Sequence, residues 1–344
     1  SVSSMVLLKQ DAAAAKQEAG FRRPYNDPVL NSDVIYGRLI QRMMDSGVVD
    51  LTVNPQEVVQ NVGVFAVRKK NDRQRLVVDA RGSNFWFSEP GHVHLPTGSA
   101  LSMLELGPDE ELYVADADIA NAFYKMALPA ELRRYFAMRG LQARHAGVTS
   151  VDGQAVGATQ MVWPRLAVLP MGWSHALELC QKVHEHLVRD SGEVSPEQFV
   201  VDRRRPPHLA MGAHAEYVDN FISFALEPDR ANHLRDIAVG RLRDAGLPVH
   251  ELNDARQEAT TLGWNFSGDR VSATPRRLWR LRIGTLAVLE RGRATGQELA
   301  RVVGHFTLAG LLQRTSLSVF DAVYDVEVAH WRDQVELWPS GKRE

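Results

Sequence analysis

Residues 113–119 read Tyr-Val-Ala-Asp-Ala-Asp-Ile, an apolar run that contains two carboxylates. Further along the chain, residues 217–220 read Tyr-Val-Asp-Asn. The first segment predicts a β-strand, in which residues two apart share a face, so Asp116 and Asp118 are expected to point the same way. The second segment predicts two short strands around a tight turn at Asp219-Asn220. These two acidic segments determine how the whole chain is interpreted.

The carboxylates of these segments predict a divalent-cation site. Burial of a carboxylate between apolar strands is unfavourable unless a cation compensates its charge. Mg²⁺ suits such a site because it prefers carboxylate oxygens and leaves positions for substrate phosphates. Two metal ions about 4 Å apart can activate an attacking hydroxyl and stabilise a leaving pyrophosphate. Either segment alone more often marks a turn or a solvated pair, so the prediction depends on both occurring in one chain.

Composition and charge describe a globular chain with locally basic stretches. The 344 residues are 44% hydrophobic and 24% charged, with a formal net charge of −2. This length suits one large domain with subdomains, or roughly two to three small domains. The net charge does not favour a nucleic-acid partner, but phosphates respond to local charge rather than to the sum. Basic residues are concentrated at 68–81, 203–205 and 270–301, which are either solvated faces or phosphate contacts.

Cysteine usage and hydropathy predict an intracellular protein that does not span a membrane. Cys180 is the one cysteine, so an intrachain disulfide is excluded and a reducing compartment, cytoplasmic or nuclear, is expected. The sequence lacks an apolar run of about 18 residues, the length that a membrane-spanning helix needs. The first residues, SVSSMVLLKQ, have no signal-peptide pattern, so secretion is not expected.

Periodicity and turn residues predict a mixed α+β chain with a helical C-terminal part. Ser32 or Asp33 caps a predicted helix that runs to about Met44 and stops at Gly47. Strands and helices alternate without a regular βαβ rhythm, which favours α+β over a Rossmann fold or a TIM barrel. The other predicted elements are a hairpin at 62–70 and 75–81, helices at 99–106, 121–125, 174–188 and 229–245, strands at 111–117, 216–224, 248–251 and 259–266, a capping box at 295–298, and helices throughout the region after about 275.

Several segments together carry a resemblance to one protein family. They are VFAVRKK (64–70), RLVVDAR (75–81) with Asn84, DIANAF (118–123), LPMGW (169–173) continuing to Gln181, YVDN (217–220) and LGW (262–264). In content and order they resemble the motifs of reverse transcriptases, most closely those of retroviruses and of long-terminal-repeat or related retrotransposons. The resemblance runs from about residue 35 to residue 266, with a weaker match through the helical tail.

The resemblance implies an α+β fold of the right-hand polymerase type. Such a fold has split fingers, a palm whose antiparallel sheet is backed by helices, and a helical thumb. The implied boundaries are an N-terminal arm and fingers over 1–108, palm over 109–129 and 166–268, a second part of the fingers over 130–165, and thumb or connection-like helices over 269–344.

The fingers hairpin carries the implied contacts to the triphosphate. In the family, a Lys and an Arg of this hairpin bind the incoming nucleotide, which by position assigns Lys69 or Lys70, and Arg75. A triphosphate requires cations directed at its β- and γ-phosphates. The alternative is a solvated surface hairpin that is rich in Lys and Arg.

The segment Asp118–Phe123 resembles the family's first catalytic motif. Asp118 is then the principal metal ligand, and Ile119 contributes its backbone carbonyl. Asp116 precedes the matching position, so we treat it as secondary. Phe123 occupies the position of an aromatic steric gate, which leaves no room for a 2′-hydroxyl and thereby selects dNTPs. The alternative for Phe123 is ordinary core packing.

The Pro-Met-Gly turn resembles the part of the family that contacts the template base and the new base pair. Met171 and Gly172 lie in this turn, and Gln181 lies on the helix that follows. The glycine would allow the backbone to approach the nucleotide closely. A Pro-x-Gly turn that leads into a helix is common, so this motif is only moderately specific.

Residues 217–220 resemble the family's Tyr-x-Asp-Asp turn. This places Tyr217 on the nucleotide and template side, and makes Asp219 and Asn220 metal ligands. Asn220 stands where the family has its second Asp. An amide offers a carbonyl oxygen but no charge, so the site has one negative charge fewer and a lower metal affinity is expected.

The C-terminal motifs resemble the primer grip and the thumb. The Lys often found ahead of LGW is missing, which leaves Arg256 or His250 to serve instead. The helix that begins near Pro275 would suit a thumb that holds a duplex by its phosphates, although a solvated helix face explains it equally well. Its arginines are Arg276, Arg277, Arg280 and Arg282.

Together these motifs imply template-directed DNA synthesis. A primer 3′-hydroxyl attacks the α-phosphate of a dNTP, with Asp118 and Asp219 holding Mg²⁺, which Mn²⁺ can replace. The implied partners are an RNA or DNA template with its primer, dNTPs, and further retroelement domains such as RNase H or integrase. Two alternatives stay open. One is a reverse-transcriptase-like module without catalysis that only binds nucleic acid or protein, for which Asn220 is the evidence. The other is an RNA-dependent RNA polymerase, which would use rNTPs readily.

Overall fold

The computed structural model describes residues 8–21, 23–68, 74–189 and 192–343. Helices and strands mix along the chain, which confirms the α+β prediction. The helices are α1 (Ala12–Glu18), α2 (Asp33–Asp45), α3 (Arg81–Asn84), α4 (Gly98–Leu101), α5 (Ala122–Lys125), α6 (Ala130–Arg133), α7 (Ala143–Ala146), α8 (Ala176–Arg189), α9 (Pro228–Asp244), α10 (Pro275–Arg291), α11 (Gly296–Gly310), α12 (Asp321–Ala329) and α13 (Pro339–Arg343). The strands are β1 (Val49–Thr52), β2 (Gly63–Arg68), β3 (Gln74–Asp79), β4 (Tyr113–Ile119), β5 (Leu141–Gln142), β6 (Ser150–Val151), β7 (Gln154–Ala155), β8 (Met161–Leu166), β9 (Ala213–Tyr217), β10 (Asn220–Ala225), β11 (Val249–Arg256), β12 (Glu258–Thr261), β13 (Trp264–Ser267), β14 (Arg270–Ala273), β15 (Arg293–Thr295) and β16 (Gln334–Glu336).

The chain divides into two compact units. The first consists of Ser1–Val93 and Asn121–Val183, and the second of His94–Ala120 and His184–Glu344. Helix α8 begins in the first unit, and its last residues, from His184 onward, belong to the second. The division into fingers, palm and thumb is finer than this one, and its boundaries stay predictions.

The first unit contains the predicted helix and hairpin of the N-terminal region. The side chain of Ser32 accepts a hydrogen bond from the Ile35 amide at the start of α2, and Gly47 follows the helix with φ +70°, which confirms both ends of the prediction. Strands β2 and β3 pair antiparallel, from Gly63 opposite Asp79 to Arg68 opposite Gln74. Lys69 and Lys70, in the predicted hairpin turn, lie outside the described residues. A separate sheet has the strand order β1-β8-β5.

The second unit is built on an antiparallel sheet with the strand order β11-β4-β10-β9. Helix α9 covers one face, where the small residues Ala115, Ala225 and Ala231 pack together. The Ser223 hydroxyl donates to the Ala231 carbonyl at 2.7 Å, which ties strand β10 to this helix. The small side chains let helix and sheet approach closely, because bulkier residues would hold the backbones apart.

The opposite face of the sheet continues into the main apolar core of the second unit. Val114, Ile222 and Phe224 point to this face and pack with Trp264 and Phe266. The latter two residues come from a small sheet with the order β12-β13-β14. Asp116 and Asp118 lie on the same strand face as Val114, because residues two apart in a strand share a face. Asp116 and Asp118 therefore continue the apolar face of strand β4 towards its C-terminal end.

The C-terminal region corrects part of the secondary-structure prediction. Helices dominate after residue 275, and the capping box is confirmed by reciprocal hydrogen bonds between Thr295 and Glu298. The prediction of helix throughout this region is wrong for β15 and β16, which pair antiparallel. The strand predicted at 259–266 is two strands, β12 and β13, separated by Leu262 and Gly263 with positive φ. Within the described ranges, no helix combines the length and the apolarity needed to cross a membrane.

Candidate active site

The two acidic segments meet at one end of the central sheet of the second unit. Strands β4 and β10 are antiparallel neighbours, and Asp118 lies opposite Asn220 in their register. The Ile119 amide donates to the Asp219 carbonyl at 2.8 Å, which fixes the turn between β9 and β10 to the end of β4. Asp118 and Asp219, separated widely in sequence, are therefore neighbours in space. Ile119, the predicted backbone ligand, ends β4 with its side chain buried.

Asp118 is a carboxylate with other negatively charged side chains close to it. Burial, followed by the negative charges of Asp219 and Glu251, raises the pKa of Asp118 to about 6, although His250 opposes the shift. The His250 Nδ1 atom lies 3.3 Å from the Asp118 Oδ1 atom. A carboxylate next to a second carboxylate binds protons or cations more strongly than an isolated one. This is the charge arrangement that a divalent cation would relieve.

Asp116 has a different role from Asp118 despite sharing its strand face. Arg256 Nη2 lies 2.9 Å from Asp116 Oδ1, and Asn253 Nδ2 donates to Asp116 Oδ2 at 2.9 Å. The charge of Asp116 is thus matched by a guanidinium on the neighbouring strand β11. Sequence reasoning proposed Arg256 or His250 as substitutes for the missing primer-grip Lys. In the structure Arg256 pairs with Asp116, and His250 lies beside Asp118.

The turn that follows β9 presents Tyr217, Asp219 and Asn220. The Asn220 Nδ2 atom donates to Asp219 Oδ1 at 3.1 Å, so the amide orients the neighbouring carboxylate. This contact leaves the amide oxygen as the atom that Asn220 can offer to a cation. Tyr217 is half-buried at the end of β9, opposite Asn220.

The donor set fits Mg²⁺ better than a transition metal. Within the described part of the chain, His, Cys, Asp and Glu side chains do not form a metal-binding group of three or more. The site instead offers two carboxylates, one amide oxygen and a backbone carbonyl, all hard oxygen donors. Mg²⁺ is usually held by one or two carboxylates plus substrate phosphates, rather than by a complete protein cage. Asp118, Ile119, Asp219 and Asn220 are therefore suitable as an open, partial coordination set.

A buried charged network lies on the face of the sheet opposite Asp118, and sequence reasoning missed it. Glu216 and His214 are both fully buried on β9, with His214 Nδ1 at 3.0 Å from Glu216 Oε1. Arg189, at the end of α8, donates to Glu216 Oε2 at 3.0 Å. Burial alone would raise the pKa of Glu216, but His214 and Arg189 outweigh it and lower the pKa to about 2. The signal in the sequence was a His and a Glu two apart in an apolar strand, directly before the Tyr-Val-Asp-Asn turn.

The predicted residues of the Pro-Met-Gly turn lie in the first unit. Gly172 has φ +122°, and a Cβ at this position would lie 2.6 Å from the Val78 carbonyl oxygen of strand β3. Asn84 Nδ2 donates to the Gly172 carbonyl at 3.2 Å. The glycine is therefore required for close packing against the hairpin, a structural reason in addition to the predicted nucleotide contact. Met171, beside it, is half-buried.

The other predicted nucleotide contacts of the first unit differ in their exposure to solvent. Arg75 is exposed on β3, opposite Val67. Phe123 is half-buried on the short helix α5, and Gln181 is buried on α8. The structure thus presents Arg75 to solvent, whereas Gln181 is held inside the unit.

The arginines predicted for the thumb lie on α10, in the second unit. All four are exposed, and the helix contains no buried residue. Their exposure leaves these guanidinium groups available to contact phosphates, and it is equally consistent with a solvated helix face. The residues are Arg276, Arg277, Arg280 and Arg282.

The raised pKa of Asp118 predicts a pH-dependent cost of folding without metal. In the folded protein the pKa of Asp118 is raised to about 6, from the 3.8 of an unperturbed Asp. Above its unfolded pKa, ionised Asp118 therefore destabilises the fold, and this penalty disappears as the pH falls through 6 towards 4. In EDTA, Asp118→Asn should melt at a higher temperature than the natural chain at about pH 8, and by a much smaller margin at about pH 4.5. Thermal melts at both pH values check this; equal melting temperatures at pH 8 would contradict it.

Comparisons with known proteins show which proteins this chain is similar to. No family model matches the chain. It is 22% identical over 220 residues to the Gag-Pro-Pol polyprotein of Human T-cell leukemia virus 3 (strain 2026ND) and 21% identical to that of strain Pyl43. Each match covers 64% of this chain and 13% of the polyprotein, so the chain spans a small part of these relatives.

A solved structure extends the comparison to nearly the whole chain. A foamy viral protease-reverse transcriptase in complex with double-stranded DNA matches with a TM-score of 0.60 and 16% sequence identity. The match covers 94% of this chain and 48% of that protein. The chain is therefore homologous to a segment of retroviral Gag-Pro-Pol polyproteins and has the fold of a retroviral reverse transcriptase, which confirms the predicted resemblance.

Proposed function

We propose that this chain performs template-directed DNA synthesis, transferring dNMP units from dNTPs to a primer 3′-hydroxyl in a Mg²⁺-dependent reaction. The observation that carries the proposal is the pair Asp118 and Asp219, held at adjoining strand ends, where burial and then the negative charge of Asp219 raise the pKa of Asp118. The homology to retroviral polyproteins and the reverse-transcriptase fold support the same reaction class. RNA or DNA template with primer, and dNTPs, are the proposed partners.

The residues of the site have distinct proposed roles. Asp118 and Asp219 would hold Mg²⁺ through their carboxylates, with the Ile119 carbonyl and the Asn220 amide oxygen as additional ligands. When bound, Mg²⁺ supplies charge stabilisation for the attacking primer oxygen and for the leaving pyrophosphate. Asp116 keeps its charge matched by Arg256 and supports strand β4 without entering the metal shell.

The other proposed nucleotide contacts come from the hairpin of β2 and β3, from α5 and α8, from the Pro-Met-Gly turn and from the end of β9. Lys69, Lys70 and Arg75 would bind the triphosphate, because its negative charge requires several cations. Phe123 would exclude a ribose 2′-hydroxyl and so select dNTPs over rNTPs. Met171, Gly172, Gln181 and Tyr217 would contact the template base and the new pair.

A second candidate function is a binding module without catalysis. The observation that favours it is Asn220, whose amide replaces a carboxylate and donates its hydrogen bond to Asp219 rather than adding charge to the site. Such a module would still bind a duplex, because duplex contacts depend on phosphate-directed cations and not on the metal ligands.

Primer extension by the natural chain and by Asn220→Asp separates the two functions. If the chain is a polymerase, both proteins should extend a primer, and Asn220→Asp should reach half-maximal rate at a Mg²⁺ concentration lower by about threefold to tenfold. The added carboxylate increases the attraction of the site for a divalent cation. Mn²⁺ should reduce the difference, because it binds oxygen and nitrogen donors with higher affinity than Mg²⁺. Duplex binding without extension, by both proteins and with either cation, would establish the binding module instead.

A further inference from the structure

The turn that carries Asp219 has an unusual backbone. Tyr217 and Asn220 pair across a loop of two residues, Val218 and Asp219. Val218 has φ +58°, whereas Asp219 is not among the residues with positive φ. Positive φ at only the first loop residue corresponds to a type II′ hairpin turn, a position that strongly prefers glycine. A β-branched residue in this region is strained, so surrounding contacts must hold it there.

One of those contacts comes from the end of helix α8. His184 is fully buried, and its Nδ1 atom lies 3.0 Å from the Val218 carbonyl oxygen. A carbonyl only accepts hydrogen bonds, so Nδ1 must carry the proton. The other ring nitrogen, Nε2, is buried without a hydrogen-bond partner among the described residues. The ring also packs against Phe221, with 6.4 Å between ring centroids.

The contacts of Asp219 show what this hydrogen bond achieves. The peptide before Asp219 contains the Val218 carbonyl, which His184 binds. The peptide after it contains the Asp219 carbonyl, which accepts from the Ile119 amide at 2.8 Å. Both peptide planes that flank the carboxylate-bearing residue are therefore fixed, one from behind the sheet and one from strand β4. The direction of the Asp219 Cα–Cβ bond follows from these two planes.

We infer that His184 is a positioning residue: its Nδ1–H bond holds the strained Val218 peptide in place and thereby aims Asp219 at the metal site. This inference rests on the proposed function for its effect on turnover. Its effect on the turn itself is independent of that function. The imidazole acts from the buried face of the sheet and does not contact substrate or metal.

Three variants isolate the donor from the ring. His184→Phe keeps a ring of similar size but removes the donor, and His184→Asn restores a side-chain N–H near the position of Nδ1. His186→Phe is the matched control, because His186 is exposed on the same helix. Melting temperatures verify that each variant is folded before it is compared.

Amide hydrogen exchange across residues 217–221 is the readout that does not depend on activity. His184→Phe should accelerate exchange there by about tenfold or more, the effect of losing one buried hydrogen bond, while His184→Asn and His186→Phe should stay within about threefold of the natural chain. In single-turnover dNTP incorporation, His184→Phe should lower the maximal rate about 10- to 100-fold with an unchanged Kd for primer–template.

Each outcome decides the inference. Unchanged exchange in His184→Phe, or equal acceleration in His184→Asn, would overturn it, since the donor would then be irrelevant. If the natural chain incorporates no dNTP, the proposed function fails, and the exchange data still decide the role of His184. If His184→Phe does not fold, ¹⁵N NMR of the natural chain replaces it: an Nδ1–H ring supports the inference and an Nε2–H ring contradicts it.

Discussion

Replacing Asp118 with Asn should reduce primer extension by about a thousandfold or more, while duplex affinity changes by less than about threefold. The amide removes one of the two carboxylates that meet at the end of strands β4 and β10, and metal-assisted charge stabilisation contributes several kcal/mol, with each 1.4 kcal/mol equal to a factor of about ten. Duplex binding should persist because it depends on phosphate contacts elsewhere. Single-turnover incorporation and fluorescence-anisotropy binding measure the two quantities separately.

Asp116→Asn is the matched control for this experiment. It makes the same chemical change two residues earlier, on the same face of the same strand, but at a carboxylate that Arg256 already neutralises. We expect it to weaken strand β4 and to retain at least about a tenth of the natural rate. Equal losses in Asp116→Asn and Asp118→Asn would contradict the separate roles assigned to the two residues. Retained extension by Asp118→Asn would remove Asp118 from the site.

Replacing Arg189 with Met should destabilise the second unit by about 2–4 kcal/mol. Arg189 donates to Glu216, whose side chain is 0% exposed. Removing one partner of a buried ion pair leaves the other charge incompletely compensated, a loss that generally exceeds the net value of the pair itself. Arg189 also lies over the Phe199 ring, 3.7 Å from its centroid, so packing is lost as well. Urea denaturation followed by far-ultraviolet circular dichroism measures the change.

Two further variants test the cause of this destabilisation. Adding Glu216→Gln to Arg189→Met should recover part of the lost stability, because the uncompensated charge is then absent. Arg243→Met, on the exposed side of α9, should change stability by no more than about 0.5 kcal/mol. A similar loss in Arg189→Met and Arg243→Met would show that the buried network does not stabilise the unit.

Local signals in the sequence predicted the local elements well. The cap at Ser32, the glycine after α2 and the capping box at Thr295 each act over a few residues, so a sequence pattern suffices to predict them. The pair β15 and β16 was missed because its partners are far apart in sequence and each strand is only three residues long. Such strands form because tertiary contacts favour them, and they have little hydrophobic periodicity of their own.

The candidate site could be predicted from the sequence only as a set of residue types. The two acidic segments and their order predicted that Asp118 and Asp219 lie close together, and the resemblance ranked Asp118 above Asp116. The pairing of Asp116 with Arg256 was not predictable, because β11 reaches β4 through irregular register shifts. The His184 contact to Val218 was hidden for a similar reason: a helix and a turn that are separate in sequence meet behind the sheet. In both cases, the contact joins residues that are remote in sequence.

A ternary complex with primer–template, dNTP and Mn²⁺ tests the central claim most directly. Anomalous scattering locates Mn²⁺ independently of the protein density, and the account predicts that carboxylate oxygens of both Asp118 and Asp219 coordinate it beside the dNTP phosphates. Mn²⁺ that binds the nucleotide away from these two residues, or a complex in which only one of them coordinates the ion, would contradict the account.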